Sequence, residues 1–517
     1  MKSRSKLVYS CKKVTPKRRM TQMQSKELQN IRKVGEHERK RVLLINPKKI
    51  GSSNVTFPHN GLAILSGILK KRGHETLIVD YAFLRGKIPS VFNFIEKFKP
   101  DLVGVSMYAF NAREGMEIIS EINKSSPNLP ILTGGPFATL YTDELKKNKS
   151  ADYIFIGEAE LTLLNVVENA KKERVPKIIN SNSPLDLNDI PIPEFKSFYQ
   201  WEIIRNYPIM TSRGCPFKCS FCVGINLAHK RWRHREIEGC IKEIKSALEI
   251  SPHLRISIFD DCPTVWKERF KQFLRAYKKE TNANLNVINT RADGIDRELL
   301  ILLKECNCRE IGIGVEHAHP EVFKHVNKGE TLKEIEDACN LVKDCGFGLT
   351  ISFVVGLPYD NLERIKESIK FANRVKPNHM TINPIVPFRG TPVRAWFEKN
   401  GTILRNELEP YEKSLDAFEC EEPYVETPDF NRYERRKAFY MFMFRTGYIL
   451  FKWNKLRKVW SIAKQYGLKE DFMLWIPKGI KRNFILKKME AIYAIEILRK
   501  EGVRELIRRH KQRIKLY

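Results

Sequence analysis

Three cysteines in one short segment are the residues of this sequence with the most evident chemistry. Cys215, Cys219 and Cys222 stand in Thr-Ser-Arg-Gly-Cys-Pro-Phe-Lys-Cys-Ser-Phe-Cys-Val-Gly, a C-x3-C-x2-C pattern that lets three thiolates turn inward on one loop. Soft thiolates favour iron–sulfur clusters, zinc or copper(I). A four-iron cluster normally takes four cysteines, so three leave one iron open to another ligand. A zinc site needs a fourth ligand at C-x2-4-C or H-x3-5-H spacing, which the neighbouring histidines do not supply; three unrelated buried cysteines are the other alternative.

The elements before this segment predict a doubly wound parallel sheet. Apolar runs of four to six residues alternate with helical segments, which indicates parallel strands covered on both faces. The predicted strands are 41–47, 76–80, 101–106, 129–133 and 151–156, with a helix over 61–70. Ligands of such sheets bind at the carboxyl ends of the strands. The residues that fall there are Ser106, Gly134, Gly135, Gly157 and Glu158.

The elements after residue 205 predict a second α/β unit. Six strands alternate with helices, at 207–211, 255–259, 285–289, 310–314, 349–355 and 379–383. Six such units form a partial TIM-like (β/α)6 barrel, with chemistry at the carboxyl ends of its strands. Polar residues stand at those ends, in Phe-Asp260-Asp261-Cys262, Asn-Thr-Arg291 and Gly-Ile-Gly-Val-Glu316.

The cysteine motif and the strand-end residues behind it, in this order, resemble the radical S-adenosylmethionine (SAM) enzymes over residues 205–395. In that family the open iron of a [4Fe-4S] cluster chelates SAM. The resemblance implies that Phe221 is the aromatic residue usual in the cluster loop. It implies SAM contacts for the strand-end residues: Asp260 and Asp261 to its ammonium, Arg291 to a carboxylate, and Glu316 to the ribose hydroxyls or ammonium. Catalytic residues for the substrate step stay unknown at this point.

The remaining cysteines do not indicate a second cluster. Cys262 alone lies where a barrel ligand would stand, and we interpret it as a small core residue. Only Cys420 follows Cys345, so a C-terminal extension that holds auxiliary clusters is not expected.

The segment before the barrel resembles the cobalamin-binding domain of B12-dependent radical SAM enzymes. The matching motifs are Pro-His-Asn-Gly-Leu-Ala at 58–63, Pro-Asp-Leu-Val-Gly-Val-Ser at 100–106, Gly-Gly-Pro at 134–136 and Gly-Glu-Ala-Glu-Leu-Thr at 157–162. A D-x-H-x-x-G motif, which supplies a histidine to cobalt in other cobalamin enzymes, is missing. His59 lies in the corresponding loop without the partners of that motif. The resemblance therefore implies cobalamin without a histidine on cobalt, and a degenerate domain that holds no cobalamin is the alternative.

Charge is concentrated at the two ends of the 517-residue chain. Residues 1–41 carry 14 Lys/Arg and 3 Asp/Glu, and residues 431–517 carry 24 Lys/Arg and 7 Asp/Glu. The formal net charge of the whole chain is +30. A disordered basic tail explains residues 1–41 most simply. Aromatic residues are interleaved with cations at 437–460. This pattern favours a helical cap on the barrel, with peripheral membrane contact as a second possibility. RNA binding is the third and least favoured possibility, because no recognised RNA-binding module accompanies the pattern. We therefore do not expect a nucleic-acid partner.

Composition sets the remaining expectations. The sequence contains no run of 18 apolar residues, so it does not predict a membrane-spanning helix. Eleven cysteines in a chain of this length do not indicate a disulfide framework. Thiolate-held iron favours a reducing compartment, so we expect a cytoplasmic protein that is able to associate with a membrane. The predicted domains are a tail (1–41), a B12-binding-like domain (42–178), a linker (179–204), a radical SAM core (205–395) and a basic helical region (396–517).

The two resemblances together imply an enzyme that cleaves SAM reductively and methylates an unactivated carbon with cobalamin. We predict a methyltransferase that acts on a small hydrophobic or lipid-like molecule and receives electrons from a donor such as ferredoxin or flavodoxin. A cobalamin-associated cyclase or other bond-forming enzyme is the alternative. A cobalamin- or cluster-binding regulator is the alternative outside enzymes.

Overall fold

Two parallel six-stranded sheets, one after the other along the chain, organise the molecule. The structure is a computed structural model that describes residues 38–48, 57–148, 151–173, 175–181, 185–227, 231–405, 422–448, 456–484, 491 and 495. The described residues from Lys40 onward belong to one compact unit.

The first sheet has the strand order β2-β1-β3-β4-β5-β6, with every pair parallel. Its strands are β1 (Arg41–Asn46), β2 (Glu75–Asp80), β3 (Leu102–Ser106), β4 (Ile131–Gly134), β5 (Tyr153–Gly157) and β6 (Lys177–Ser181). Its helices are α1 (Asn60–Lys71), α2 (Val91–Phe98), α3 (Ala112–Ser125), α4 (Pro136–Leu140), α5 (Thr142–Lys147) and α6 (Leu163–Asn169). Leu43 and Leu44 are both buried but belong to different core clusters, one on each face of the sheet. This confirms the predicted doubly wound sheet.

The second sheet follows the order β14-β13-β12-β11-β10-β7 and is also parallel throughout. Its strands are β7 (Asn206–Ile209), β10 (Arg255–Ile258), β11 (Leu285–Thr290), β12 (Glu310–Glu316), β13 (Gly348–Val355) and β14 (His379–Pro384). Its helices are α7 (Gly224–Leu227), α8 (Ile237–Ile250), α9 (Lys267–Glu280), α10 (Arg297–Glu305), α11 (Pro320–Val326), α12 (Leu332–Asp344), α13 (Ile365–Val375) and α14 (Pro392–Asn400). Sequential strand order with β7 and β14 at the two edges is the partial (β/α)6 barrel that the sequence predicts.

Within the described ranges, two strand pairs lie outside the main sheets. A short antiparallel hairpin joins β8 (Ser212–Arg213) and β9 (Arg233–His234), and it frames the cysteine segment. The second pair is β15 (Thr402–Ile403) with β16 (Val425–Glu426). Neither pair was predicted, because two-residue strands leave no periodicity to detect.

The segment between the sheets packs against both of them. The predicted linker starts within β6, which continues to Ser181. Phe198 bridges to Ile78 of β2, and the ring of Phe195 lies 4.6 Å from that of Tyr207 in β7. The apolar residues of this segment therefore help to join the sheets.

The C-terminal region is mainly helical where it is described after β16. It contains α15 (Arg432–Thr446), α16 (Leu456–Gln465) and a helical stretch over 469–484. Phe442 is fully buried, and its ring lies 4.9 Å from that of Phe353 in β13. This packing confirms the helical cap on the barrel. Among the described residues, no helix has the length and apolar character needed to span a membrane.

Candidate active site at the strand ends

The cysteine loop starts at the carboxyl end of β7 and is held in place by the next strand of the barrel. Asp260, just after β10, accepts three hydrogen bonds: from the amide of Thr211 (2.7 Å), the hydroxyl of Thr211 (2.6 Å) and the hydroxyl of Ser212 (2.6 Å). Asp261 accepts a 2.7 Å bond from the amide of Gly214, which has φ +90°. The two carboxylates therefore fix the backbone that leads directly into Cys215.

Burial and hydrogen bonding act in opposite directions on Asp260. Burial raises the pKa of the Asp260 carboxyl above its usual range, although the bonds from Ser212 and Thr211 favour the charged form. Because both of its oxygens already accept bonds from the loop, Asp260 supports the loop in this structure. A contact of Asp260 or Asp261 with SAM stays a prediction.

The far side of the loop is attached to α11 and α14. Ser220 donates its amide to the carbonyl of Val326 (2.8 Å) and its hydroxyl to the carbonyl of His325 (2.8 Å). The amide of Val393 donates to the Ser220 carbonyl at 3.1 Å. The half-buried Phe221 packs against the small apolar cluster that includes Val326 and Val393. Phe221 therefore anchors the loop between Cys219 and Cys222.

Arg291 stacks directly on the cysteine loop. Its guanidinium carbon is 3.5 Å from the ring centroid of Phe217, which stands between Cys215 and Cys219. Its fork donates to both oxygens of Asp293, at 3.0 and 2.7 Å, and to the carbonyl of Lys328 at 2.7 Å. The fork that was expected to face the SAM carboxylate is thus engaged by the protein. Its position fits a role in shaping the loop by cation–π stacking, and SAM binding by Arg291 stays a prediction.

Glu316 ends β12 in a left-handed conformation with φ +66°. Its carboxylate lies 3.6 Å from the Lys328 ammonium, which is also 3.2 Å from Glu330. A Cβ on Gly314 would come within 2.1 Å of Oε1 of Glu316, so glycine at this position leaves room for the carboxylate to fold back. Burial raises the pKa of Glu316, and the charge of Lys328 opposes that effect.

Electrostatic contacts show which of these residues reach the cysteines. Burial is the main reason that the pKa of Cys219 rises to about 11, and Lys328 and Arg291 oppose this rise. Burial also raises the pKa of Cys222, to which Asp261 and Glu316 add. Asp261, Arg291 and Glu316 therefore act electrostatically on the thiols, and binding of SAM by these residues stays a prediction.

A fourth thiol acts on the loop. Interaction with Cys262 is the main reason that the pKa of Cys215 falls to about 7. Cys262 is 4% exposed. Among the described residues, no three His, Cys, Asp or Glu side chains converge on one point as they would around a single metal ion. Cysteine ligands of an iron–sulfur cluster instead bind separate iron atoms.

The strand ends of the first sheet form a backbone cradle. Gly135 and Gly157 have φ +92° and +81°. A Cβ on Gly135 would lie 2.7 Å from the Met107 carbonyl and 3.0 Å from the Ser106 hydroxyl, whereas one on Gly134 would make only ordinary contact with Phe155 at 3.5 Å. The chain therefore requires glycine at Gly135 and comes close to any ligand there.

His59 uses both ring nitrogens within the protein. Nδ1 accepts from the amide of Leu62 at 3.2 Å and so caps α1, which leaves the proton on Nε2, 3.3 Å from the Ser106 hydroxyl. Burial lowers the pKa of His59 to about 4. The ring of His59 is therefore neutral and held by the protein, and cobalamin without a histidine on cobalt stays a prediction.

Glu158 joins the first sheet to the hairpin of the cysteine loop. It pairs with Arg213 at 3.2 Å and also with Arg233, while Glu160 pairs with Arg213 at 2.8 Å. Burial alone would raise the pKa of Glu158, but the bond from Arg233 together with the charge of Arg213 lowers it. We call Glu158, Glu160, Arg213 and Arg233 the interdomain clasp. The sequence placed Glu158 at a ligand-binding strand end and did not indicate its arginine partners, and ligand binding by Glu158 stays a prediction.

Comparisons with known proteins match the two sheets separately. The Radical SAM superfamily model matches residues 209–372, and the B12 binding domain model matches residues 50–167. An uncharacterized methyltransferase of Pyrococcus horikoshii is 27% identical over 371 residues, which are 68% of this chain and 80% of the relative. The anaerobic magnesium-protoporphyrin IX monomethyl ester cyclase of Rubrivivax gelatinosus is 27% identical over 376 residues, 65% of this chain and 66% of the relative.

The chain belongs to the radical SAM enzymes that carry a B12-binding domain.

A solved structure shares the fold of this radical SAM enzyme across most of the chain. The radical SAM methyltransferase TsrM of Kitasatospora setae, solved with tryptophan substrate and a SAM analogue, superposes with a TM-score of 0.59. It is 17% identical and covers 88% of this chain and 100% of its own. At that identity the likeness establishes the fold.

The cofactors of this radical SAM enzyme are a [4Fe-4S] cluster, SAM and cobalamin. The donor set fits the cluster, because the loop presents three cysteines and leaves one iron to bind SAM. The cradle at Gly135 and Gly157 fits a large ligand that approaches the backbone closely. The residues that the sequence missed, Phe217, Lys328 and the clasp arginines, act on the loop through contacts between distant segments.

Proposed function

We propose that this enzyme methylates an unactivated carbon of a hydrophobic or lipid-like small molecule. The observation that carries the proposal is the clasp, which places the cysteine loop beside the strand ends of the B12-binding domain. A cluster on the three thiolates would supply the electron that cleaves SAM to a 5′-deoxyadenosyl radical, and cobalamin would supply the methyl group. The protein's own residues hold the loop through Asp260 and Asp261 and surround the thiols with Arg291, Lys328 and Glu316.

Exposed aromatic rings near the loop support a hydrophobic substrate. Phe259 at the end of β10 is 40% exposed and lies edge-on to Phe57 of the first domain, with centroids 4.9 Å apart. Trp266 on the same strand-end loop is 50% exposed and lies 5.5 Å from His234 and 6.5 Å from Trp232. These rings offer apolar faces to a substrate between the domains and help to exclude water from radical chemistry.

The first experiment measures bound metal and the products of SAM. After anaerobic reconstitution with iron, sulfide and hydroxocobalamin, we expect about four iron and one cobalt per chain, from cluster and corrin stoichiometry. With dithionite and SAM, the enzyme should release 5′-deoxyadenosine, and transfer of a methyl group should leave S-adenosylhomocysteine. Iron without cobalt would remove the basis for methyl transfer.

A variant pair tests the cluster assignment. Cys219→Ala should abolish 5′-deoxyadenosine while the chain stays folded, because the loop loses one of its three iron ligands. Cys339→Ala removes a buried thiol of α12 and should retain the product. Continued SAM cleavage by the Cys219 variant would show that the assignment is wrong.

A cyclase is the second candidate, favoured by the similarity to the magnesium-protoporphyrin cyclase. Such an enzyme would form 5′-deoxyadenosine without S-adenosylhomocysteine, which separates the two candidates. A regulator that binds cobalamin or a cluster would form neither product.

The electron donor and membrane contact belong to the same proposal. We expect ferredoxin or flavodoxin to reduce the cluster, which 5′-deoxyadenosine formation without dithionite would test.

The stretch 469–484 presents exposed Met473, Ile480 and Phe484 beside Lys478 and Lys481. These residues support peripheral contact with an anionic membrane. Co-sedimentation with phosphatidylglycerol vesicles, but not phosphatidylcholine vesicles, is the expected result.

A further inference from the structure

The cysteine loop is tied to the B12-binding domain at both of its ends. At its start, Arg213 stands two residues before Cys215 and pairs with Glu158 at 3.2 Å. Glu158 directly follows Gly157, whose φ of +81° forms one side of the backbone cradle. The carboxylate that holds the start of the loop is therefore attached to backbone that a ligand in the cradle would contact.

The end of the loop has a second tie, formed by different residues. The side-chain amide of Asn226 in α7, four residues after Cys222, donates to the carbonyl of Arg389 at 3.3 Å. The guanidinium of Arg389 pairs with Glu144 in α5 at 2.5 Å and lies 4.9 Å from the ring centroid of Tyr141. Arg389 therefore connects the helix that follows the cysteines to the B12-binding domain.

A single hydroxyl joins the two sides of the cradle. Thr139 of α4 donates its hydroxyl to the carbonyl of Gly135 at 3.2 Å and accepts a bond from the amide of Gly157 at 3.0 Å. Both directions are fixed, because a carbonyl can only accept and an amide N–H can only donate. From Gly135 the chain runs through α4 and α5 to Glu144. Thr139 therefore links the strand ends from which both ties start.

The carboxylates of the two ties are sheltered from water. The side chains of Glu158 and Glu144 are 22% and 26% exposed. A partly buried ion pair holds its partners more firmly than an exposed pair does, because little water is available to replace a lost partner. A change in the position of either carboxylate is therefore passed on to its arginine and so to the loop.

We propose that Glu158 and Glu144 are positioning residues that transmit ligand binding at the cradle to both ends of the cysteine loop, so that bound cobalamin slows the loss of iron from the cluster. Iron leaves when the loop opens locally. A ligand that binds better to the closed arrangement lowers the population of the open one. The inference rests on the cofactor assignments within the proposed function, and it is independent of the substrate and of methyl transfer.

The test follows the anaerobic release of iron to the chelator ferrozine from full-length protein reconstituted with a cluster, with and without bound hydroxocobalamin. The measured quantity is the ratio of the two release rates. In the wild type, hydroxocobalamin should slow release about fivefold, at the lower end of typical coupling between two sites. Glu158→Gln and Glu144→Gln should each reduce this ratio to about twofold, and the double variant should bring it close to one.

A second pair of variants tests the link within the cradle. Thr139→Val removes the hydroxyl and should reduce the ratio to about twofold, whereas Thr139→Ser keeps the hydroxyl and should retain the wild-type ratio. Glu336→Gln is the matched control, because it breaks a pair with Arg374 between α12 and α13 at a side chain that is 32% exposed. This control should leave the ratio at its wild-type value.

The ratio of rates separates positioning from a merely structural role. A variant that only weakens the fold speeds iron release equally with and without hydroxocobalamin, so an unchanged ratio in both glutamate variants would overturn the proposal. A wild-type ratio of one would also overturn it, and if no cobalt is bound the cobalamin assignment falls as well. If a glutamate variant retains no iron, the threonine variants decide by the same criteria. Failure of methyl transfer with the expected ratios would refute the proposed function alone.

Discussion

At the scale of single residues, the site is dominated by side chains that hold the cysteine loop. The carboxylates after β10 bond to the residues that precede Cys215, and Arg291 stacks on Phe217 within the loop. Cluster binding needs three thiolates at defined positions, and a loop without regular secondary structure does not hold them without such contacts.

Asp260→Asn should loosen the loop. The amide nitrogen of asparagine donates, so it cannot accept all of the bonds that Thr211 and Ser212 direct at the two oxygens. We expect iron to be lost at least several-fold faster when the reconstituted protein is incubated with a chelator. Asp337→Asn, on the exposed face of α12, is the control and should lose iron at the wild-type rate. Equal rates for the two variants would contradict this role of Asp260.

Asp80 and His59 give the first domain opposing responses to pH. Burial raises the pKa of Asp80 to about 6, so its contribution to stability is present below its unfolded pKa and is lost as pH rises to about 6. Burial lowers the pKa of His59 to about 4, so its contribution is present above its unfolded pKa and is lost as pH falls to about 4. The two effects therefore offset each other in the wild type.

Asp80→Asn removes one side of this balance. From pH 4 to pH 6.5, the unfolding free energy of the variant should rise relative to the wild type by up to ~3 kcal/mol, from the size of the Asp80 shift. His59→Gln should show the opposite trend and gain relative stability as pH falls. Chemical denaturation at both pH values measures each difference. A difference independent of pH in both variants would contradict the assignment.

At the scale of elements, the hairpin of β8 and β9 carries a charged contact between the two domains. The hairpin contributes Arg213 and Arg233, and the end of β5 is followed by Glu158 and Glu160. Because the cysteine loop lies between β8 and β9, the same four residues place it relative to the B12-binding domain.

Arg213→Met should leave the clasp carboxylates without their shared partner. Glu160 is only 9% exposed at its side chain, so we expect a loss of about 2 kcal/mol in unfolding free energy, less than for a fully buried pair. A double-mutant cycle with Glu160→Gln measures the coupling. The control is a double-mutant cycle for Lys333 and Asp337, whose side chains are 83% and 61% exposed. Its coupling energy should be less than about 0.5 kcal/mol. A coupling as small for the clasp would show that it does not hold the domains.

At the scale of the whole molecule, the barrel and its helical cap share one core. The largest cluster of buried apolar residues runs from β1 of the first sheet through the barrel to α15 and α16. The cap is therefore expected to unfold together with the barrel.

Phe442→Ala tests this shared core. The side chain is fully buried against Phe353, so its loss should cost about 3–5 kcal/mol, as for other buried aromatic truncations. Thermal and chemical unfolding should show the cap and barrel transitions shifted together. Met473→Ala, at a side chain that is 61% exposed, should change stability by about 0.5 kcal/mol or less. If only the unfolding transition of the helical cap shifted, the cap and the barrel would unfold separately.

The sequence by itself determined the class of the fold and the position of its chemistry. Buried parallel strands are continuous apolar runs, and their carboxyl ends are marked by the residues that follow, so β1 and the strand end at Asp260 were both visible in the chain. The C-x3-C-x2-C spacing is equally local, because one loop brings the three cysteines together.

Only the tertiary structure decided what the surrounding side chains do. Asp260 and Arg291 were expected to face SAM. In the structure, the Asp260 carboxylate accepts a hydrogen bond from Ser212, and the Arg291 guanidinium donates to Asp293. The stacking of Arg291 on Phe217 joins separate strand ends, and spacing along a chain carries no information about which distant groups meet. Hydrogen-bond partners follow from packing, and packing is fixed only when the sheets and helices are assembled.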